Sequence, residues 1–239
     1  MKNLSLIVLI FLLIISALIF NLFDANKKIN NYFLLISLRS LSIFQTLARK
    51  LSQTALTPNQ ISVFSIVFAA LAAACLGMLA QAGSNAWFLL VAVFIQLRLL
   101  CNLLDGMVAV EGGKSTKSGE LFNDIPDRIA DPLILVSAGY ATQLPWGMEL
   151  GWAAGLLAVL TAYIRSLAVS IGAPADFRGP MAKQQRMAVL TLACVLSLFE
   201  SLFWAEHWLL FYTLVLIVLG AIWTAVRRTV AAYRYLEAA

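Results

Sequence analysis

RLLCNLLDGMVAVEGGKSTKSGELFNDIPDRIAD, residues 98–131, places a dense set of charged and amide side chains between two apolar runs. No Asp, Glu, Lys or Arg occurs in 86–97 before it or in 132–148 after it. Runs of that kind read as membrane-crossing helices, and a charged group inside such a helix is costly enough to mark a functional site or a buried pair. Here the charges cluster at the adjoining ends. Arg98, Asn102 and Asp105 close one run, and Asn123, Asp124, Asp127, Arg128 and Asp131 open the next. Arg165 stands alone late in a later run.

Outward from this stretch, candidate spans lie at 3–23, 61–81, 86–104, 128–144, 151–172, 187–203 and 208–226. At a rise of about 1.5 Å per residue, roughly 20 residues cross the hydrocarbon, so 128–144 and 187–203 are short and borrow from their flanks. The first span is read as a retained helix rather than a signal peptide, because its basic region is only Lys2 and no A-x-A site follows. Segment 32–47, apolar around Arg39 and flanked by Lys27, Lys28, Arg49 and Lys50, reads as an interfacial helix lying on the membrane, with an eighth crossing as the rival.

Composition agrees. The chain has 239 residues, 62% apolar and 12% charged, against about 25% charged in an average soluble domain. Mean hydropathy is +0.88. A disordered chain, a coiled coil and a disulfide-stapled module are excluded. Cys75, Cys101 and Cys194 are scattered through apolar runs, and the single histidine, His207, excludes a clustered imidazole site. The net charge of +5 is read as membrane topology and not as nucleic-acid binding. Basic residues gather in 24–59, 173–186 and 227–239, which with 105–127 places those segments on the cytoplasmic side. Trp146, Trp152, Trp204 and Trp208 then form the outer aromatic belt.

Spacing adds geometry. Asn102, Asp105 and Ala109 share a helix face if the helix continues that far, and Gly119, Asn123 and Asp127 share another. Two antiparallel helices joined near 110–118 would set these faces opposite one another. Oxygen ligands so placed suit Mg²⁺ or Mn²⁺. The plainer reading is that the same residues neutralise Arg98 and Arg128 inside a bundle. Gly112-Gly113-Lys114-Ser115 lacks the spacing and preceding strand of a P-loop.

Stretch 102–127 resembles the signature of the CDP-alcohol phosphatidyltransferase family, D-x-x-D-G-x-x-A-R, eight residues, then G-x-x-x-D-x-x-x-D. Asp105, Gly106, Ala109, Gly119 and Asp127 match; Asn102 and Asn123 replace aspartates and Val110 replaces the arginine. Leu56-Thr57-Pro58-Asn59-Gln60-Ile61-Ser62 resembles the family's opening of its first core helix, with Pro58 suiting a helix start and Asn59 able to bond freed amides. Residues 178–186, RGPMAKQQR, loosely resemble its G-K-x-x-T-x-x-Q region.

The resemblance covers about 56–230 and implies a six-helix core there in an all-α integral membrane protein; outside it, the residues themselves give an extra crossing (1–24), an interfacial helix with linker (25–55) and a basic tail (231–239). It implies transfer of a phosphatidyl or related group from a CDP-linked donor such as CDP-diacylglycerol to a small polar alcohol, with release of CMP, in phospholipid biosynthesis. A homodimer in a bacterial inner membrane, with the site facing the cytoplasm, is the accompanying expectation. Carried over by position, Asp105 and Asp127 would bind Mg²⁺ or Mn²⁺ with Asn102 and Asn123 as carbonyl ligands, and Asp127 would be the general base. Gly106, Ala109 and Gly119, with Lys114 and Lys117, would hold the nucleotide diphosphate. Arg165, Lys183 and Arg186 would hold a phosphate of acceptor or lipid. Asp124 points about 100° from Asn123 on a helix and is no automatic substitute. The reading from another class is a transporter or scaffold that keeps the fold without turnover.

Overall fold

The computed structural model describes residues 42–82, 84–200 and 207–238. The expected crossing at 3–23, most of the 25–55 segment and Trp204 lie outside them. Among the described residues there are seven helices and no strand: α1 (Ser42–Ser52), α2 (Pro58–Ala82), α3 (Ala86–Glu111), α4 (Gly119–Ala141), α5 (Gly147–Ser170), α6 (Lys183–Ser197) and α7 (Trp208–Glu237). Four of them, α2, α3, α5 and α7, are long and apolar enough to cross a membrane. α4 carries four charged residues between Asp124 and Asp131, and α6 has only 15 residues.

Each helix starts and stops for a local reason. α2 opens on a reciprocal cap: the Gln60 amide donates to Thr57 Oγ1 at 3.2 Å, and the Thr57 amide donates to Gln60 Oε1 at 3.0 Å. This is the capping-box pattern, with Pro58 at the first helical position where its missing N–H is harmless. The cap is therefore Thr57 and Gln60, where the sequence suggested Asn59. α3 runs two turns beyond the expected end at 104, because Asn102 and Asp105 find partners inside the bundle. It stops at Gly112, where a Cβ would stand 2.7 Å from the Val108 carbonyl. α4 begins at Gly119 rather than 128 for the same reason, and continues through Pro126 and Pro132.

α1 extends the expected 32–47 segment to Ser52, and residues 32–41 of that segment lie outside the described ones. Its stripe Phe44, Leu47, Ala48, Leu51 packs on Leu103, Leu104, Met107 and Val108 of α3, while Arg49 and Lys50 remain exposed. The other six helices close a ring through their contacts: α3 on α2, α2 on α4, α4 on α5, α5 on α7, α7 on α6, and α6 back on α3. Leu76, Phe88, Ile95, Ile134, Leu190 and Leu214 belong to the core inside it. Large apolar side chains such as Phe64, Leu156 and Trp223 face outward, as lipid contact requires.

Small residues set the closest helix approach. A Cβ at Gly151 of α5 would lie 2.8 Å from Gly139 Cα of α4, so neither position accepts a side chain. The 171–182 loop is pinned to α7 in the same way. Gly179 has φ 143°, its absent Cβ would meet Thr224 at 2.4 Å, and the Met181 amide donates to Thr224 Oγ1 at 3.1 Å.

Candidate functional site

The ring brings polar side chains from four helices, charged ones from three of them, to one place. α3 offers Arg98, Asn102 and Asp105, whose spacing keeps them on one helix face. α4 offers Asp127 and Asp131, the start of α6 offers Lys183 and Arg186, and α2 offers Ser62. Asp127 is the hub. Its Oδ1 accepts from Arg98 Nη2 at 2.6 Å and from Asn102 Nδ2 at 2.8 Å, and its Oδ2 accepts from Lys183 Nζ. Asp131 pairs with Arg98 at 2.7 Å and Arg186 at 3.1 Å. Arg186 also donates to the Met181 carbonyl at 2.8 Å and to Thr161 Oγ1 at 3.3 Å. Asp105 accepts from Ser62 Oγ at 2.5 Å and from the Gly106 amide at 2.6 Å.

These groups are buried, apart from the Lys183 side chain at 28% exposure and a part-buried Asn102. Three carboxylates, Asp105, Asp127 and Asp131, stand with three cations, Arg98, Lys183 and Arg186, so the formal charge of the cluster balances without any ion. Pairing is what makes buried charge tolerable at membrane depth.

The donor set does not suit a divalent ion. Both oxygens of Asp127 and both of Asp105 already accept hydrogen bonds from the protein. An ionised carboxylate can only accept, so Asn102 turns its NH₂ rather than its carbonyl toward Asp127. Asn123 is exposed at the start of α4. Arg98 Nε and Nη1, Arg186 Nε and one acceptor, Asp131 Oδ1, are buried without hydrogen-bond partners among the described residues. No group of three or more His, Cys, Asp and Glu converges as a metal-ligand set among the described residues, whereas hard cations want several oxygen ligands.

A second centre lies beside the first. Asp124 pairs with Arg128 at 2.9 Å and with Arg165 at 2.9 Å, and Arg165 also sits 4.9 Å from the centroid of the Phe177 ring. Asp124 thus belongs to this centre and not to the Asp127 cluster, as its angular offset implied. A cavity of about 380 Å³ opens here, lined by Arg165, Asp176, Phe177, Arg178, Arg228 and Tyr235 among others. Arg178 donates three hydrogen bonds to Asp176. Arg228 is held by the carbonyls of Arg178 at 3.1 Å and Thr161 at 2.8 Å. Thr161 therefore joins the two centres, its hydroxyl bonded from Arg186 and its carbonyl from Arg228.

The structure divides the expected phosphate-binding trio. Arg165 lines the cavity, whereas Lys183 and Arg186 are committed to Asp127 and Asp131. Lys114, expected at the diphosphate, donates instead to the carbonyls of Thr54 at 2.8 Å and Leu56 at 3.2 Å, closing the α1–α2 link. Lys117 is exposed, and Gly106, Ala109 and Gly119 are half-buried along α3 and at the start of α4. Arg178 and Arg228 were not foreseen at the cavity. A signal for Arg228 existed: it continues the buried stripe Ile217, Ala221, Thr224, Ala225 of α7, while Arg227 faces outward. Ser62 was a polar residue on an apolar helix, which is also a signal.

Comparison with known proteins bears on this arrangement. The chain is 26% identical over 196 residues to inner membrane protein YnbA of Escherichia coli K12, covering 78% of this chain and 90% of that protein. Its fold is similar to that of a phosphatidylinositol phosphate synthase of Mycobacterium tuberculosis. The form with CDP-DAG bound gives a TM-score of 0.65 at 18% identity, over 81% of this chain and 94% of that one. The complex with manganese and citrate gives 0.66 at 20% identity, over 80% and 88%. Residues 55–232 match the family model for CDP-alcohol phosphatidyltransferase. That match takes in the helix ring up to the last turn of α7 and both halves of the 102–127 signature, and the chain belongs to the CDP-alcohol phosphatidyltransferase family, a membrane transferase of CDP-alcohol phosphotransferase type.

Proposed function

We propose that this protein transfers a phosphatidyl or related phosphoalcohol group from a CDP-linked donor, such as CDP-diacylglycerol, to the hydroxyl of a small polar alcohol, in the inner membrane of a bacterium with the site open to the cytoplasm. The observation that carries the reading is the convergence of the two signature halves: Asn102 of α3 lies 2.8 Å from Asp127 of α4. The CDP-DAG bound to the related synthase supports the donor class, and basic segments gathered on one side support the orientation. The six helices α2–α7 form the core, and 3–23 an additional crossing.

In the reaction the acceptor oxygen attacks the phosphorus that carries the donor's alcohol. The bond from that phosphorus to the bridging diphosphate oxygen breaks, CMP leaves with the electron pair, and the hydroxyl proton passes to a carboxylate. Asp127 and Asp105 are the candidates to take it. Lys183 is the partly exposed cation of the cluster and the one placed to meet negative charge on the departing CMP. The cavity of Arg165, Arg178 and Arg228 suits a phosphate on the acceptor, and replaces the trio read from sequence. A Mg²⁺ or Mn²⁺ ion on Asp105 and Asp127 is the sequence expectation. The manganese of the related synthase supports it at family level, and this chain's donor set does not.

The test is CMP release by purified protein given CDP-diacylglycerol and a panel of plain and phosphorylated alcohols, with and without divalent metal. Release with one acceptor class supports the reading. No release with any acceptor would move the protein to a binding or scaffold role on the same fold.

A further inference from the structure

In a family signature that supplies four aspartates, this chain supplies two, Asp105 and Asp127. Fewer carboxylates leave less negative charge to offset, and Arg98, Lys183 and Arg186 stand beside Asp127 and Asp131 to offset it. Each replacement of an aspartate by asparagine removes one negative charge from the site, and Asp127 is met by Arg98 Nη2 at 2.6 Å and by the Lys183 ammonium. Lys183 makes this contact from the first residue of α6, on a flexible four-carbon stem with 28% exposure.

We propose that the Lys183 ammonium, seated with Arg98 on Asp127, takes the place of a divalent cation in this site, so that Asp127 is neutralised by built-in cations alone. The proposal uses the transferase reading only to say which residues a metal would be expected on. A tethered ammonium is a compact point charge that can release a carboxylate and take up a phosphate oxygen without leaving the site. An additional divalent ion here would meet three neighbouring positive charges and would compete with Lys183 for Asp127 Oδ2.

Manganese binding by the purified full-length protein in detergent decides the matter, followed by loss of the free Mn²⁺ resonance. The wild type is expected to leave millimolar Mn²⁺ free, and its melting temperature to be unaffected by chelator. Lys183→Ala frees one oxygen of Asp127 and removes one positive charge, so it should bind Mn²⁺ about 10- to 100-fold more tightly, the scale on which neighbouring groups tune metal sites. Lys183→Arg should behave as the wild type, and Asp127→Asn added to Lys183→Ala should abolish the gain. Lys183→Ala retains Arg98 and Asn102 on Asp127, so the hub stays paired. Equal affinity in the wild type and Lys183→Ala, or binding by neither, overturns the proposal. A protein that follows this pattern but never releases CMP would refute the transferase reading and leave the cation assignment standing.

Discussion

At the scale of single residues, Asp127 has a double duty. It neutralises Arg98 and Lys183, and it is the leading candidate to accept the acceptor's proton. Asp127→Asn should lower CMP release by at least about 100-fold, within the range of acid–base catalysis. It should also lower the melting temperature, because stranding buried cations costs about 3–5 kcal/mol. The two losses are separated by measuring turnover well below the variant's melting temperature. Asp176 makes a different prediction. Burial opposes its ionisation, yet the hydrogen bonds and charge of Arg178 outweigh burial and hold its carboxyl below the ordinary range. A depressed folded pKa means the stabilisation is fully present above the unfolded value of about 3.9 and is lost as pH falls through the folded value. Protection of the 171–182 amides, taken relative to the intrinsic exchange rate at each pH, should therefore fall only on acidification below about pH 4. In Asp176→Asn protection should be low at every pH. Wild-type protection that does not change through this window would show that the pair does not order the loop.

At the scale of elements, caps and contact glycines hold the ring in register. Thr57→Ala removes the side-chain half of the α2 cap and should cost about 0.5–2 kcal/mol, read as a lower midpoint in thermal unfolding with activity retained below it. Gly151→Leu forces α4 and α5 apart at their closest approach and should cost about 1–3 kcal/mol or more. Gly77→Leu is its control, since a Cβ there meets nothing within 4 Å. If both glycine variants melt alike, the close approach is not what fixes this pair. The elements themselves were largely visible in the sequence as apolar runs. Their ends were not, because an isolated reading halts a membrane helix where charge begins. α3 and α4 continue through charge since each buried group is paired across the bundle.

At the scale of the whole molecule, the charge-balanced cluster and the basic cavity are neighbours joined through Thr161. An acceptor phosphate in the cavity would thus be linked through Arg228 and Thr161 to Arg186 of the cluster whose carboxylates are the proposed proton acceptors. The Arg178 side chain is 60% exposed and bonds only Asp176 of its own loop, while its carbonyl, which Arg228 meets, is kept in Arg178→Ala, so the ring stays intact. Losing one charge-assisted hydrogen bond of about 1.5–3 kcal/mol should raise KM for a phosphorylated alcohol roughly tenfold or more. KM for an unphosphorylated alcohol should not change. A uniform change for both, in steady-state CMP release, would remove the cavity from the acceptor's path.

The sequence alone determined that this is a helical membrane protein and where its chemistry concentrates. Uninterrupted apolar runs have few other stable fates, and charges at their ends are too costly to be incidental. The spacing of Asn102, Asp105, Gly119 and Asp127 was likewise enough to set two helix faces against each other. What only the tertiary structure decided is who pairs with whom. Asp105 turned to Ser62 rather than to an arginine, Lys183 and Arg186 went to carboxylates rather than to a phosphate cavity, and Arg178 and Arg228 took their place beside Arg165. A side chain's partner is fixed by the order in which the helices close the ring, and residues 43 to 95 positions apart, such as Ser62 with Asp105 and Gln96 with Thr191, meet only after that closure.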